Sequence, residues 1–150
     1  MPLQPRRWAA WALIAYLVAL SFIALWPTPV DQGSGEMLQK VLQKLHEHGA
    51  PGWVDYGFVE SASNVVLFLP FGALLVWIAG PRRFWVGIAA GVVLSTAIEL
   101  AQYAFLPARY PTLLDVAANT LGATLGAVLA RLLVLTLPKP VPNRATRRTL

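Results

Sequence analysis

The sequence predicts an all-α protein, a four-helix transmembrane bundle with a short extracytoplasmic amphipathic helix between the first and second spans. Apolar residues make up 57% of the 150 residues and charged residues only 13%, whereas a soluble domain carries roughly 25% charged residues. The apolar residues form four long runs, and most Lys and Arg residues lie at the ends of those runs. Together these observations indicate a chain surrounded by lipid.

Four segments are long enough to cross a membrane. A spanning helix needs about 20 mostly apolar residues, because each residue advances roughly 1.5 Å through a hydrocarbon core of about 30 Å. The predicted spans are residues 8–26, 57–79, 84–106 and 112–137. The short connectors at 80–83 and 107–111 contain proline and arginine, which suits tight turns at the membrane surface. Residues 1–137 are therefore interpreted as one transmembrane domain.

The first span is interpreted as a signal anchor, although Arg6 and Arg7 precede it as in a cleavable signal peptide. Its apolar stretch, residues 8–26, is longer than the usual signal-peptide core of about 7–15 residues. No clear cleavage site follows it. We therefore expect the first span to remain part of the protein.

The placement of Lys and Arg predicts the orientation of the spans, because cytoplasmic loops carry an excess of these residues. Three of the twelve basic residues lie on one side, namely Lys40, Lys44 and Arg109. The other nine lie on the opposite side: Arg6, Arg7, Arg82, Arg83, Arg131, Lys139, Arg144, Arg147 and Arg148. Both termini are therefore expected in the cytoplasm and the loop at 27–56 outside it.

That outer loop contains an amphipathic segment, residues 36–48. Met37, Leu38, Val41, Leu42 and Leu45 recur at helical spacing, with polar residues between them. The pattern predicts a short helix on the outer membrane surface, acting as an anchor or as a lid over a site. The proline- and arginine-rich tail, residues 138–150, is predicted to be disordered and basic.

Polar side chains recur at matched depths in the last three spans. Counted from the outer end of each span, Glu60, Gln102 and Asp115 lie about 4–6 Å deep, and Asn64, Glu99 and Asn119 about 10 Å deep. The partners within each span are three or four residues apart, so they share a helix face. Ser95 extends the third face downward. Arg109, between the third and fourth spans, is the cation close to these carboxylates. The sequence therefore predicts one cavity, open to the outside and lined by Glu60, Asn64, Glu99, Gln102, Arg109, Asp115 and Asn119.

Two glycine pairs predict close helix packing. Gly122 and Gly126 continue the polar face of the fourth span, and Gly87 and Gly91 are similarly spaced on the third. Small residues four positions apart allow neighbouring helices in a membrane to approach closely.

The polar cluster has a structural interpretation beside the functional one. Interhelical hydrogen bonds from Asn, Gln and Ser stabilise many bundles by roughly 0.6 kcal/mol each, and an Arg109–Asp115 pair would close the turn between spans. Three carboxylates are harder to explain in this way, because an unpaired buried charge costs several kcal/mol. Glu99, the deepest acid, is the strongest functional candidate.

Several function classes find no support in the sequence. It contains no cysteine, and nothing matches a nucleophile elbow, a P-loop, a zincin helix or a nucleotide-binding glycine run. His46 and His48 are two residues apart and so lie on different helix faces. We expect no metal site, no cofactor and no nucleic-acid partner.

The last three spans carry motifs of a known family. Residues 60–72, with Asn64, Leu67, Phe68, Pro70 and Gly72, resemble the N-x-x-L-F-x-P-x-G signature of VanZ-like membrane proteins. Glu99-Leu-Ala-Gln102 resembles the E-x-x-Q element of that family. Arg109, followed by residues 115–123, resembles its R…D-V-x-x-N-T-x-G-A element. The resemblance covers residues 59–133, whereas the first span and the loop match only as a generic anchor and a variable insert.

The resemblance implies a bacterial protein of the cytoplasmic membrane. The namesake of the family is associated with resistance to the glycopeptide antibiotic teicoplanin, by a mechanism that is not established, and many relatives have no known connection with antibiotics. Membership therefore supports the fold and the site more than an activity.

Three functional hypotheses follow. The leading one is a non-enzymatic envelope protein whose outer pocket binds a membrane lipid or a lipid-linked envelope precursor, with a link to teicoplanin-type resistance. The second is an intramembrane hydrolase or transferase on a lipid-linked substrate, with Glu99 or Asp115 as general base. The third is a structural or partner-binding subunit whose polar cluster sets the helix register.

Overall fold

The computed structural model describes residues 3–26, 35–107 and 112–137, and within these ranges it is helical without any strand. The elements in chain order are α1 (Leu3–Ala24), α2 (Gly35–Glu47), α3 (Tyr56–Ala79), a 3-10 turn (Pro81–Arg83), α4 (Trp85–Phe105) and α5 (Leu113–Thr136). The predicted all-α fold is therefore confirmed. The predicted tail at 138–150 lies outside the described residues.

Four of these helices are long and apolar enough to cross a membrane, as predicted. They are Arg6–Ala24, Tyr56–Ala79, Trp85–Phe105 and Leu113–Thr136, within two residues of the expected bounds at every end. Many large apolar side chains on them are exposed, among them Trp11, Phe22, Val93 and Leu129. A surface of this kind is stable against lipid but not against water.

The helix α2 forms where the amphipathic pattern predicts it. It ends near Gly49, whose positive φ of 93° suits a helix stop. Leu42 is the buried apolar residue of α2, and α2 contacts α3. Met37, Val41 and Leu45 are exposed. The position of α2 on the outer side of the membrane stays a prediction.

The start and the end of α3 both have a local cause. The Asp55 side chain caps the first turn by accepting a hydrogen bond from the Phe58 amide at 2.9 Å. At the other end Gly80 adopts φ 91° and ψ 155°, a region open essentially to glycine alone. The helix continues through Pro70 without interruption.

The helices α3 and α5 pack backbone against backbone. A Cβ added to Gly122 would lie 2.2 Å from the Val65 carbonyl oxygen, and one added to Gly126 would lie 1.9 Å from that of Leu69. The glycines on α4 also face α5, since a Cβ on Gly91 would lie 2.5 Å from the Ala123 Cβ. Both predicted glycine pairs therefore lie at helix interfaces, and the contact is tightest at Gly122 and Gly126.

The helix α1 packs on this unit through side chains. Leu20 is buried with Phe68, Phe71 and Ala123 in the main apolar cluster, and the Tyr16 hydroxyl donates a hydrogen bond to the Leu67 carbonyl oxygen of α3. A second cluster contains Val76, Ala127 and Ala130.

Candidate functional site

The antiparallel order of the spans brings the predicted polar residues to one end of the bundle. The C-terminal halves of α1 and α4 meet the N-terminal halves of α3 and α5 there. The Gln102 side-chain amide of α4 donates to the Ala24 carbonyl oxygen of α1 at 2.8 Å, and Asn64 of α3 contacts Asp115 of α5. All four spans therefore contribute an atom to this end.

Asp115 accepts hydrogen bonds through both of its carboxylate oxygens. Its Oδ1 accepts a hydrogen bond from the Asn64 amide at 2.7 Å, and its Oδ2 accepts one from the Thr112 hydroxyl at 2.8 Å. The Thr112 hydroxyl in turn accepts a bond from the Asp115 backbone amide at 3.0 Å, which caps the first turn of α5. Asp115 thus joins α3 to the beginning of α5, and both of its oxygens are engaged.

Glu99 joins α4 to the same helix start. Its side chain is only 8% exposed, and its Oε2 accepts a hydrogen bond from the Thr112 backbone amide at 3.0 Å. The free amides at the beginning of a helix favour a negative charge beside them. Thr112 therefore lies between two carboxylates, contacting Glu99 through its amide and Asp115 through its hydroxyl.

A second polar pair lies in the interior between α4 and α5. The Asn119 amide donates to the Ser95 hydroxyl at 2.9 Å, and the side chains are 4% and 0% exposed. Asn119 Oδ1 is buried, and no hydrogen-bond partner for it lies within the described residues. An unsatisfied buried acceptor costs roughly 1–3 kcal/mol, so this oxygen has the capacity to accept a donor from a water molecule or a ligand.

The remaining candidates differ in their surroundings. Glu60 lies on α3 one turn before Asn64 and is exposed, whereas Gln102 is buried. Arg109 lies outside the described residues. The structure therefore does not follow the two predicted layers strictly, because Asn64 of the deeper layer reaches Asp115 of the upper one. Among the described residues, no group of three or more His, Asp or Glu side chains has the geometry to hold a metal ion.

An apolar groove runs along α3 beside this polar end. It has a volume of about 500 Å³ and is lined by Phe58, Val59, Ala62, Ser63, Val66 and Leu67. Glu60 and Asn64 interleave with these residues in the sequence, so the groove and the polar cluster lie at the same membrane depth.

Sequence reasoning missed three participants in the site. Thr112 had a recognisable signal, because Thr112-Leu-Leu-Asp115 has the spacing of a helix capping box. The Ala24 carbonyl had none, since every residue carries one. The third is Tyr16, whose contact with Leu67 shows that the first span packs against α3.

The four membrane-length helices and the polar side chains gathered at one end define a multi-pass membrane protein with a polar cluster inside its helix bundle. The VanZ/LLP1 family model matches residues 10–134. Because the match covers most of the chain, this chain belongs to the VanZ/LLP1 family. The match confirms the resemblance predicted from the motifs of the last three spans, and it extends further, over α2 and most of α1. Comparisons with curated proteins and with solved structures returned no match.

Proposed function

We propose that this protein binds the headgroup of an envelope lipid or a lipid-linked envelope precursor at the polar end of its bundle. The observation that carries the proposal is the buried Asn119 Oδ1, which has no partner within the described residues. In a bundle surrounded by lipid such an oxygen is costly, and a hydroxyl or amide group of a ligand would satisfy it. A membrane-embedded ligand reaches this depth without leaving the bilayer.

The cluster around this oxygen suits a polar headgroup. Asn64, Gln102 and Asn119 would hydrogen-bond a sugar or an amide. Arg109 would contact an anionic group of the ligand. Glu60, Glu99 and Asp115 would pair with that arginine or accept hydroxyl protons. The apolar groove along α3 offers the acyl or isoprenoid chain of the same ligand a place beside the cluster.

The proposal includes a location and an orientation. The polar end would face the outside of a bacterial cytoplasmic membrane, with both termini in the cytoplasm and α2 on the outer surface. The support is the nine-to-three distribution of basic residues. Cysteines introduced at Ser34 and Ala145, in a chain without native cysteine, test it. An impermeant thiol reagent added outside should label Ser34→Cys in intact cells. Labelling of Ala145→Cys would contradict the proposed orientation.

A link to teicoplanin-type resistance belongs to the same proposal, and family membership is its support. A ligand shared with cell-wall synthesis would explain such a link. Deletion of the protein should then lower the teicoplanin concentration that inhibits growth, and an unchanged concentration would remove this part of the proposal.

The structural alternative has an observation of its own. Both Asp115 oxygens and Glu99 Oε2 accept hydrogen bonds that join helices or cap α5, which is what a cluster that only stabilises the bundle would do. The engagement of both oxygens disfavours Asp115 as the general base of an enzyme.

The Glu99→Gln variant separates binding from structure. Glutamine keeps the shape and can still accept the bond from the Thr112 amide, but the charge is lost. We expect the variant to fold. The amount of co-purified lipid, measured by native mass spectrometry and lipidomics, should fall about tenfold or more. Glu47→Gln, the same change on exposed α2, is the matched control and should retain lipid like the parent. Full retention in Glu99→Gln would leave the structural interpretation.

A second pair of variants tests Asn119 Oδ1 directly. Asn119→Leu removes this acceptor, whereas Ser95→Ala removes only the partner of the Asn119 amide. We expect Asn119→Leu to lose the lipid and Ser95→Ala to keep it. Equal retention in the two variants would contradict a ligand contact at this oxygen.

A bound lipid that is converted on incubation would favour the alternative of a hydrolase or transferase.

A further inference from the structure

The end of the bundle opposite to the polar cluster carries basic side chains from three chain segments. They are Arg6 and Arg7 in α1, Arg82 and Arg83 in the 3-10 turn, and Arg131 in α5. The described carboxylates all lie on α2 or towards the other end of the spans, namely Glu36, Glu47, Asp55, Glu60, Glu99 and Asp115. No described carboxylate therefore neutralises these arginines.

The turn between α3 and α4 brings the first of these segments into contact with the second. A Cβ added to Gly80 would lie 3.8 Å from a guanidinium nitrogen of Arg6, so Arg6 reaches the residue where α3 ends. Arg82 and Arg83 follow at once and are exposed. The positive φ of Gly80 sets the direction in which this turn leaves α3.

Arg131 joins the same group from α5. Its guanidinium carbon lies 4.3 Å from the centroid of the Phe84 ring. This is a cation–π contact, which does not neutralise the positive charge of Arg131. Phe84 is the residue after Arg83, so the contact holds Arg131 next to the turn. Arg131 lies five residues before the end of α5, about 7–8 Å along the helix, and its long side chain can extend towards the headgroups.

Tryptophan residues place this end of the bundle at a membrane surface. Trp8 and Trp85 are 74% and 59% exposed and follow Arg7 and Phe84 directly. Exposed Trp side chains concentrate at the boundary between hydrocarbon and headgroups. We therefore expect the neighbouring guanidinium groups at the depth of lipid phosphates.

We propose that Arg6, Arg82, Arg83 and Arg131 form a binding site for the phosphodiester headgroup of an anionic phospholipid. Guanidinium groups bind phosphate oxygens through two parallel hydrogen bonds, which a lysine ammonium cannot reproduce. With no described carboxylate at this end, a lipid phosphate would supply a counter-ion. The site is independent of the proposed function, since it lies at the other end of the spans and shares no residue with the polar cluster.

Native mass spectrometry of the full chain in mild detergent tests the site with defined lipids. The protein is titrated with phosphatidylglycerol or with phosphatidylcholine, and apparent affinities are compared. We expect a preference for phosphatidylglycerol that falls about 25-fold in the Arg82→Gln/Arg83→Gln variant, since each basic residue near a lipid surface contributes roughly fivefold. Lys40→Gln/Lys44→Gln changes the net charge equally, at α2, and should keep the preference.

A charge-preserving variant and a soluble competitor separate a lipid site from general attraction between charges. Arg82→Lys/Arg83→Lys keeps the charge and should retain only part of the preference, because the paired hydrogen bonds are lost. Glycerol phosphate should compete weakly, since the site lies at the lipid surface; full displacement by it would assign the site to free phosphates and overturn the lipid proposal. Equal affinity for the two lipids would also overturn it. So would equal losses of the preference in Arg82→Gln/Arg83→Gln and in Lys40→Gln/Lys44→Gln. Arg6→Gln gives a second measurement should the double variant fail to fold.

Discussion

The interface between α3 and α5 and the interface between α1 and α3 join helices by different means. The first is a backbone contact, in which a Cβ at Gly122 or Gly126 would collide with carbonyl oxygens of α3. The second uses side chains, chiefly Leu20 and Tyr16. The burial differs accordingly, since 39% of the α5 span is buried but only 11% of the α1 span.

This difference explains how the site is positioned. Val65 and Gly122 touch through the backbone, and the polar pair Asn64–Asp115 lies within two helical turns of that contact. A short distance between helix axes is needed before two short side chains can hydrogen-bond across it. The rigid α3–α5 contact therefore sets the geometry of the cluster, and α1 closes one side of it through the bond from Gln102 to the Ala24 carbonyl.

The largest expected effect comes from breaking the backbone contact. Gly126→Ala should destabilise the protein by about 3 kcal/mol, because the new Cβ would lie 1.9 Å from a backbone oxygen that cannot move alone. Helix propensity alone would favour alanine, so the sign of the change is diagnostic. Gly57→Ala is the matched control, since its Cβ would meet Asp55 at an ordinary 3.5 Å. Unfolding in mixed detergent micelles measures both, and equal stabilities would refute the close contact.

The side-chain interface should tolerate change better. Leu20→Ala should cost about 2 kcal/mol, because it empties space beside Phe68 and Phe71 but leaves apolar lipid, not water, to fill it. Ile14→Ala removes the same number of carbon atoms from a side chain that is 51% exposed. That control should be nearly neutral in the same unfolding assay. A loss as large as that of Gly126→Ala would erase the distinction between the interfaces.

A smaller effect is expected from the polar bond that crosses the α3–α5 interface. Asn64→Leu should cost about 1 kcal/mol, in the range measured for hydrogen bonds between membrane helices. Ser63→Ala, one residue away, removes a bond within α3, from the Ser63 hydroxyl to the Val59 carbonyl, and should change the unfolding free energy little. A double-mutant cycle with Asp115→Ala, which removes the acceptor of this bond, isolates the pair. A coupling energy near zero would show that the pair contributes no stability.

The smallest effect should follow loss of the polar contact of α1. Tyr16→Phe removes the hydroxyl that bonds the Leu67 carbonyl and should cost about 0.6 kcal/mol. Tyr103→Phe, at a side chain that is 79% exposed, is the control and should leave the unfolding free energy unchanged. A large loss in Tyr16→Phe alone would make α1 as firmly attached as α5.

The helices could be predicted from the sequence more completely than the contacts between them. The spans could be predicted because apolar length is a property of each segment alone. The spacing of the glycine pairs also predicted close helix packing, but it did not predict which helix each pair would face. Within the polar cluster, depth and helix face placed Asn64 and Asp115 at the same end, but the pairing between them depended on the exact distance between α3 and α5.

The sequence by itself determined the helical class, the four membrane-length segments, the amphipathic α2 and the polar faces, because each is set by residue type and period along one helix. The tertiary structure decided the partners. It placed Glu99 against the Thr112 amide, gave Gln102 the carbonyl of Ala24, and left Asn119 Oδ1 without a partner in the described residues. Backbone atoms have no signature in the sequence, and a side chain reaches a partner on another helix only when packing has brought the two helices to the required distance.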